Sequence, residues 1–255
     1  MSGAVPVTVV IAARNAATHI GACIASAAWA AEILVVENDS TDDTVAVARA
    51  SGATVFAHPF VTIGQQRNAA IERARHEWIL VLDADERCTP ALAAEIADVV
   101  RRSAPAPDAF RIARRNHFLG REVRHGGWER DRPVRLFRRT LRYDERPVHE
   151  HVVTTGEVGT LRQPMLHFTY ATLDEYFEKF DRYSRAWAAQ HHAAGRRASA
   201  LTVLAKPPAR FLSMYVARRG FLDGAHGLVL AVLAAMSVGA KYARLWALGR
   251  AGHKP

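Results

Sequence analysis

Apolar runs of strand length alternate with stretches of helical periodicity through the first hundred residues. Val7–Ala13 is continuous and rich in β-branched residues, the composition of a strand buried on both faces. A helical pattern runs from Ala16 to Ala28, and a second strand, Ile33–Val36, ends in Glu37-Asn-Asp-Ser-Thr-Asp-Asp-Thr44. There Ser40 or Thr41 is placed to cap the next helix, with Asp42 and Asp43 in its first turn, where the helix dipole favours negative charge. Thr54–Phe56 is a third short strand. The loop from Pro59 to Gly64 and a helix from Gln65 to Arg75 lead into a fourth strand that begins at Trp78, and a further helix is expected from Ala91 to Arg102. An exposed connection, with Pro105 and Pro107, should follow it over Arg101 to Asp108. This order predicts an α/β fold built on an open, mostly parallel sheet flanked by helices. Ligands of such sheets bind beyond the carboxyl ends of the strands, where Ala13, Glu37 and Asp83 fall.

The fourth strand carries the chemistry. Trp78-Ile-Leu-Val-Leu-Asp-Ala-Asp-Glu86 stops abruptly in two carboxylates spaced i, i+2, and side chains two apart on an extended backbone point the same way. Asp83 and Asp85 are hard oxygen ligands suited to Mg²⁺ or Mn²⁺, which would in turn hold a diphosphate. A strand turning into solvent ends in acidic residues too, and it is the neighbouring strand ends that favour a site.

Four segments, Val9-Val-Ile-Ala-Ala-Arg-Asn15, Val35–Thr44, Gly64-Gln-Gln-Arg-Asn68 and Leu82-Asp-Ala-Asp-Glu86, together resemble the inverting family 2 glycosyltransferases, which have the GT-A fold. Gly126-Gly-Trp128, Arg135-Leu-Phe-Arg-Arg139, Val148-His-Glu150, Tyr176–Ser184 and Gly220–Gly224 extend the likeness to the lipopolysaccharide core glucosyltransferases that act on inner-core heptose. The resemblance implies that the backbone near Ala13 and the side chains of Asn15 and Glu37 hold base and ribose, with Arg67 and Asn68 beside the nucleotide. It implies further that Asp83 faces the ribose or metal-bound water and that Asp85 binds the metal. The subgroup's common Asp-Ser-Gly-Ser at strand two is here Glu37-Asn-Asp-Ser40, and a glutamate accepts from a pyrimidine imide one methylene further out. The expected reaction moves a hexose, glucose from UDP-glucose, to an inner-core acceptor. A polyprenyl-phosphate or other envelope glycolipid is the alternative acceptor, and a non-catalytic nucleotide-sugar-binding membrane scaffold is the alternative from another class.

Inversion needs a base, because the acceptor hydroxyl attacks from the face opposite the leaving diphosphate. Glu150, in Arg146-Pro-Val-His-Glu-His151, is the expected base. His149 and His151 compete for the role, since imidazole titrates near neutral pH, and a solvated turn would have the same composition. Trp128, as a platform for a sugar face, and Arg135, as a partner for a phosphate, are the expected acceptor contacts. The stretches Arg111–Arg115, Arg121–Arg124 and Arg135–Arg139 offer further phosphate ligands.

Other chemistries lack their patterns. Twelve histidines include no His-Glu-x-x-His, and Cys23 and Cys88 form no motif. Neither a P-loop nor a Gly-x-Gly-x-x-Gly turn occurs, and nothing in the basic tail marks a nucleic-acid module. Two cysteines in 255 residues and an amino terminus without a basic, cleavable apolar leader suit the cytoplasm.

Residues 1–165 are expected to form the catalytic domain, and residues 166–255 a helical, basic extension. Residues 206–255 hold eight Lys or Arg against one acid, which accounts for +7 of the chain's net +9. Within them lies the apolar stretch Gly227–Ala240. At about 1.5 Å per residue it rises only about 21 Å, short of a hydrocarbon core of about 30 Å, so an interfacial position is expected. Apolar and aromatic residues with basic flanks fit the anionic surface on the inner face of the cytoplasmic membrane.

Overall fold

The computed structural model describes residues 3–101, 107–146 and 150–251. His149 and the core of the expected connection, 102–106, lie outside them. In chain order the elements are β1 (Val5–Ala13), α1 (Ala17–Ser26), β2 (Ala30–Glu37), α2 (Thr44–Ala50), β3 (Thr54–Ala57), α3 (Ile63–Arg73), β4 (Trp78–Asp83), β5 (Glu86–Arg87) and α4 (Pro90–Arg101). The strands β6 (Ala109–Arg111), β7 (Arg114–Phe118), β8 (Arg121–Val123), β9 (Val134–Arg138), β10 (Val158–Thr160) and β11 (Met165–Tyr170) follow, and α5 (Leu173–Ala193), α6 (Ala200–Leu212) and α7 (Gly224–Ala251) complete the chain.

Two compact units share these elements. One comprises Met1–Arg114 with Asp131–His167, the other Arg115–Arg130 with Phe168–Pro255. Residues 115–130 thus belong with the carboxyl-terminal helices although they lie within the first 165 residues.

The first unit is built on a seven-stranded sheet of order β10-β6-β9-β4-β1-β2-β3. β1 runs parallel to β2 and β4, β2 to β3, and β10 to β6, whereas β9 lies antiparallel between β4 and β6. Strand alternation divides its core. Val7, Val9 and Ile11 of β1 and Leu80 and Leu82 of β4 pack with α1 and α4, while Val10, Ile79 and Val81 pack with Ala70 and Ile71 of α3. Asp83 has the parity of Ile79 and Val81, so it emerges on the α3 side, in register with Ala12. Ala13 and Glu37 stand opposite each other at the ends of β1 and β2.

Two local expectations change. α2 begins at Thr44: Ser40 and Thr41 bond to the neighbouring loop instead of capping it, while Asp42 accepts both the Thr44 amide and the Ala17 amide, at 3.0 Å each. Extended backbone also stops at Asp83; Asp85 sits in the turn before β5, where strand alternation no longer governs its direction.

In the second unit, β7 and β8 form a hairpin, and Phe118, Val123, Tyr176, Met214, Leu230 and Leu233 make a separate core. The Tyr176 hydroxyl donates to the Leu233 carbonyl at 2.8 Å, fixing α7 to α5. α7 is 28 residues long, about 42 Å, because Lys241, Ala243, Arg244, Leu245, Ala247 and Leu248, all good helix formers, continue the helix past Ala240. Length therefore does not exclude crossing a bilayer, since Gly220–Arg250 is long and apolar enough to span one.

Candidate active site

Two loops at the carboxyl end of the sheet are joined by their own side chains. Asn15, held in the left-handed region at φ 49°, accepts the Thr41 amide at 2.8 Å on Oδ1 and donates its own amide to Ser40 Oγ at 3.2 Å. Asp42 accepts the Ala17 amide at 3.0 Å, and Thr44 Oγ1 accepts the Ala16 amide at 2.7 Å. Glu37 Oε2 accepts the Ser40 amide at 3.2 Å, so the carboxylate closing β2 braces the loop that follows it. Ala13, Asn15 and Glu37 thus fall in one crescent beyond the ends of β1 and β2.

Beside that crescent lies a network of carboxylates and guanidiniums. Gly64, Arg67 and Ile71 follow helical spacing along α3, which brings Arg67 onto the buried side of that helix. Arg67 donates to both Asp83 and Glu150 and so bridges the two residues expected to carry the reaction. Arg135, buried on β9, donates to Asp83 and, at 3.0 Å, to Glu86. Arg114 reaches Asp83 at 3.0 Å, Glu86 at 2.5 Å and Asp131 at 2.8 Å. Glu86 is fully buried and also accepts the Asp83 amide at 2.8 Å. Burial works against a charge on Asp83, yet Arg135, Arg67 and Arg114 outweigh it and hold the carboxyl far below the usual range.

Glycine permits part of this geometry. A Cβ on Gly64 would stand 2.6 Å from the Asp144 carbonyl oxygen, 3.3 Å from Tyr143 Cβ and 3.5 Å from Glu150 Cβ. α3 can therefore approach the segment bearing Glu150 closely enough for Arg67 to reach it. Asn68 fixes the same segment, donating to the Tyr143 carbonyl and accepting its amide, both at 2.9 Å. The Arg67 guanidinium lies 5.0 Å from the Tyr143 ring centroid.

Asp85 has a different neighbour. Its Oδ1 is 3.7 Å from Nε2 of His167, which β11 holds in register with Glu86. Burial depresses the His167 imidazole to about 4, so it is neutral at pH 7. Donors each about 2.1 Å from one ion can be up to about 4.2 Å apart, so this oxygen and nitrogen fit a shared divalent cation. Asp83, by contrast, has both oxygens engaged by guanidiniums.

The structure brings Arg67, Asp83, Arg135 and Glu150 together. Sequence reasoning missed His167, Glu86 and Tyr143 as parts of this site; a lone histidine in Met165-Leu-His-Phe-Thr-Tyr170 gives no signal until the strand pairing sets it near Asp85. Trp128 lies in the second unit, half-buried against its core, with its carbonyl accepting from Asn116 at 2.9 Å. The arginine-rich stretches are largely engaged within the protein: Arg138 with Glu77 at 2.6 Å, Arg139 with the Ala74 carbonyl at 2.7 Å, and Arg115 and Arg124 with Glu122 at 3.2 Å each.

A sheet whose strand ends present a bonded crescent, an Asp-x-Asp turn and a bridged carboxylate pair is the frame of a nucleotide-sugar transferase. Residues 8–201 match the model of Glycosyl transferase family 2, and the chain belongs to that family. It is 30% identical over 253 residues to the lipopolysaccharide core biosynthesis glycosyltransferase LpsC of Rhizobium meliloti (strain 1021), with 93% of each chain covered. It is also 28% identical to the succinoglycan biosynthesis protein ExoU of the same organism, over 74% of this chain and 59% of that one. Among solved structures, mannosyl-3-phosphoglycerate synthase from Rubrobacter xylanophilus overlays 43% of this chain and 40% of its own, at 28% identity and a TM-score of 0.38. The protein is a glycosyltransferase with a GT-A-like fold, similar to a lipopolysaccharide core enzyme.

Proposed function

We propose that the protein transfers glucose from UDP-glucose to a lipopolysaccharide inner-core acceptor, with inversion at the anomeric carbon. The observation that carries this reading is Arg67, which ties Glu150 to Asp83 at the end of β4. Arg67 bonds Oε1 of Glu150, and among the described residues no other hydrogen bond to that carboxylate is seen; in this reading Oε2 takes the proton. As the acceptor oxygen bonds to the anomeric carbon, its proton passes to Glu150; the sugar–diphosphate bond breaks and its electron pair leaves with UDP.

Asp85 and His167 would hold a divalent cation, Mg²⁺ or Mn²⁺, which when bound neutralises charge on the departing diphosphate. Asp83 orients Arg67, while Asn15 and Glu37 line the crescent for base and ribose. Asn68 keeps the Tyr143 backbone against α3.

Peripheral attachment to the inner face of the cytoplasmic membrane belongs to the same reading, with the second unit as the attaching part. Its exposed side carries Leu201 at 74% and Leu204 at 73% exposure, with Leu212, Val216 and Leu222 also exposed. α7 buries Leu230, Leu233 and Leu245, and Arg244 pairs with Asp181 of α5 at 2.5 Å, which suits a helix lying along its own unit better than one crossing a bilayer.

Replacing Glu150 with Gln should lower turnover by about 10²- to 10⁴-fold with UDP-glucose affinity preserved, measured by product formation and donor calorimetry. Near-normal turnover would exclude Glu150 as the base. Deleting the gene and weighing core oligosaccharides tests the acceptor: one hexose should be missing.

A further inference from the structure

Asp223 is a buried carboxylate that the transfer reaction does not use. It closes the turn Gly220–Asp223 ahead of α7, is 7% exposed, and belongs to the second unit together with every residue it bonds. In the loop after β8 its oxygens accept the amides of Arg124, at 3.2 Å, and His125, at 2.9 Å. Oδ1 also meets Nδ1 of His125 at 2.9 Å. A carboxylate only accepts, so Nδ1 carries the proton and the imidazole is held in one orientation. Nε2 is the ring nitrogen left over, on a side chain that is 34% exposed.

The same loop carries a guanidinium. The Gly126 amide donates to the Arg218 carbonyl at 2.9 Å, and Gly126 and Gly127 take φ of 77° and 98°. A Cβ on Gly127 would stand 2.9 Å from Arg218 Cδ and closer still to Nη1, so glycine is what lets that side chain lie across the loop. Arg218 is exposed, and among the described residues no carboxylate pairs with it. The nearby acids are engaged elsewhere: Glu122 with Arg115 and Arg124, at 3.2 Å each, and Glu129 with Arg130 at 3.4 Å and the Gly127 amide at 2.9 Å. An oriented imidazole and an unpaired guanidinium are thus brought to Gly126 and Gly127.

Once Nε2 takes a proton from solvent, the imidazolium adds a second positive charge to that of Arg218, with Asp223 behind it as counter-charge. A phosphate monoester carries about −1.5 to −2 at neutral pH and presents strong acceptor oxygens to both groups. A carboxylate has half that charge, and a sugar hydroxyl has none. We infer that His125 and Arg218 form a receptor for a phosphate monoester on the saccharide acceptor, with Asp223 as the positioning residue that orients the imidazole. The acceptor assignment rests on the proposed transfer to an envelope saccharide; the affinity for phosphate does not.

The test uses the full chain with isotope-labelled histidine nitrogens, titrated with glucose 6-phosphate, inorganic phosphate, acetate and glucose at matched ionic strength. The His125 resonances are assigned by their loss in His125→Ala. Before any addition Nδ1 should be the protonated nitrogen; the opposite tautomer overturns the role of Asp223. Glucose 6-phosphate and inorganic phosphate should both shift Nε2 to saturation, with acetate at least about tenfold weaker and glucose without effect. Acetate as tight as phosphate, a response to glucose, or a response to inorganic phosphate alone overturns the monoester receptor. Arg218→Met should weaken glucose 6-phosphate at least about tenfold with the Tm held, since an exposed, unpaired side chain contributes little to stability. Arg218→Lys should keep most of the binding. Unchanged binding in Arg218→Met overturns the receptor, as does a wild type whose His125 ring does not respond. Turnover on core oligosaccharide from a host lacking the gene, before and after phosphatase treatment, tests the acceptor. Dephosphorylation should raise the wild-type KM for that acceptor at least about tenfold and leave the KM of Arg218→Met unmoved. Phosphate binding without that difference refutes the acceptor assignment alone, and no turnover on either acceptor refutes the transfer reading while the phosphate receptor stands on the resonance shifts.

Discussion

Glu86 sets the arrangement around Asp83. It has no exposure, accepts from Arg114, Arg135 and the Asp83 amide, and is the one acidic group wholly inside the network. Breaking a buried ion pair by neutralising one partner leaves the opposite charge uncompensated, at about 3–5 kcal/mol. Glu86→Gln should therefore lower the unfolding free energy by about that amount in urea titrations, and a loss under about 1 kcal/mol would mean the guanidiniums find other partners. His167 makes a second prediction at this scale. Burial holds its folded-state value near 4, against about 6.5 for a histidine in an unfolded chain. Between those values the unfolded chain binds more protons, so the stability His167 contributes is complete above about pH 6.5 and is lost as the pH falls toward 4. The full effect is on the order of 3 kcal/mol. Denaturation of His167→Gln from pH 4 to 7 should show a flatter slope than the wild type.

Among the elements, β1, β2 and β4 were readable in the sequence because unbroken β-branched runs have few other uses. The starts of helices were harder. Ser40 and Thr41 look like caps, but a hydroxyl bonds to whichever partner the fold brings near: Ser40 Oγ accepts the Asn15 amide of the loop after β1, and the Thr41 hydroxyl donates to Asn15 Oδ1 at 3.4 Å. The Asp-x-Asp motif was visible, yet the divergence of its two members was not: Asp83 ends a strand among arginines while Asp85 turns toward His167, and partners contributed from residues 114, 135 and 167 are invisible to local spacing. The length of α7 was underestimated because hydropathy reports the apolar centre of a helix and not where its hydrogen bonds stop. Gly64 supplies the prediction at this scale. Alanine there meets the Asp144 carbonyl at 2.6 Å and must push α3 away from the Tyr143–Glu150 segment. Overpacking of this kind costs about 1–3 kcal/mol. Gly64→Ala should lower kcat more than it raises the KM for UDP-glucose, because the displaced contact is the one between Arg67 and Glu150; equal changes would locate the damage in donor binding.

Across the whole molecule, charge is unevenly shared. Residues 206–255 contribute +7 of the net +9, and they include the exposed Leu212, Val216, Leu222 and Leu228 of the second unit, with the exposed Leu201 and Leu204 just before them. An anionic surface would be held by both forces, and salt should separate them. Basic groups near an anionic bilayer contribute about 1 kcal/mol each, and a Debye length of about 8 Å at physiological ionic strength shrinks to about 3 Å at 1 M. Flotation on anionic vesicles should therefore weaken steeply with sodium chloride, while Leu201→Glu with Leu204→Glu should reduce it at every salt concentration. Insensitivity to both would remove the second unit as the attachment surface.

The bonds that stitch the loop after β1 to the loop after β2 have a consequence for evolution and for engineering. Neither loop is an independent cassette: replacing residues 37–44 alone would leave the Asn15, Ala16 and Ala17 amides without the side-chain acceptors Ser40 Oγ, Thr44 Oγ1 and Asp42. A change of nucleotide preference must therefore travel as a matched pair of segments, and libraries that randomise one while holding the other fixed should return few folded members.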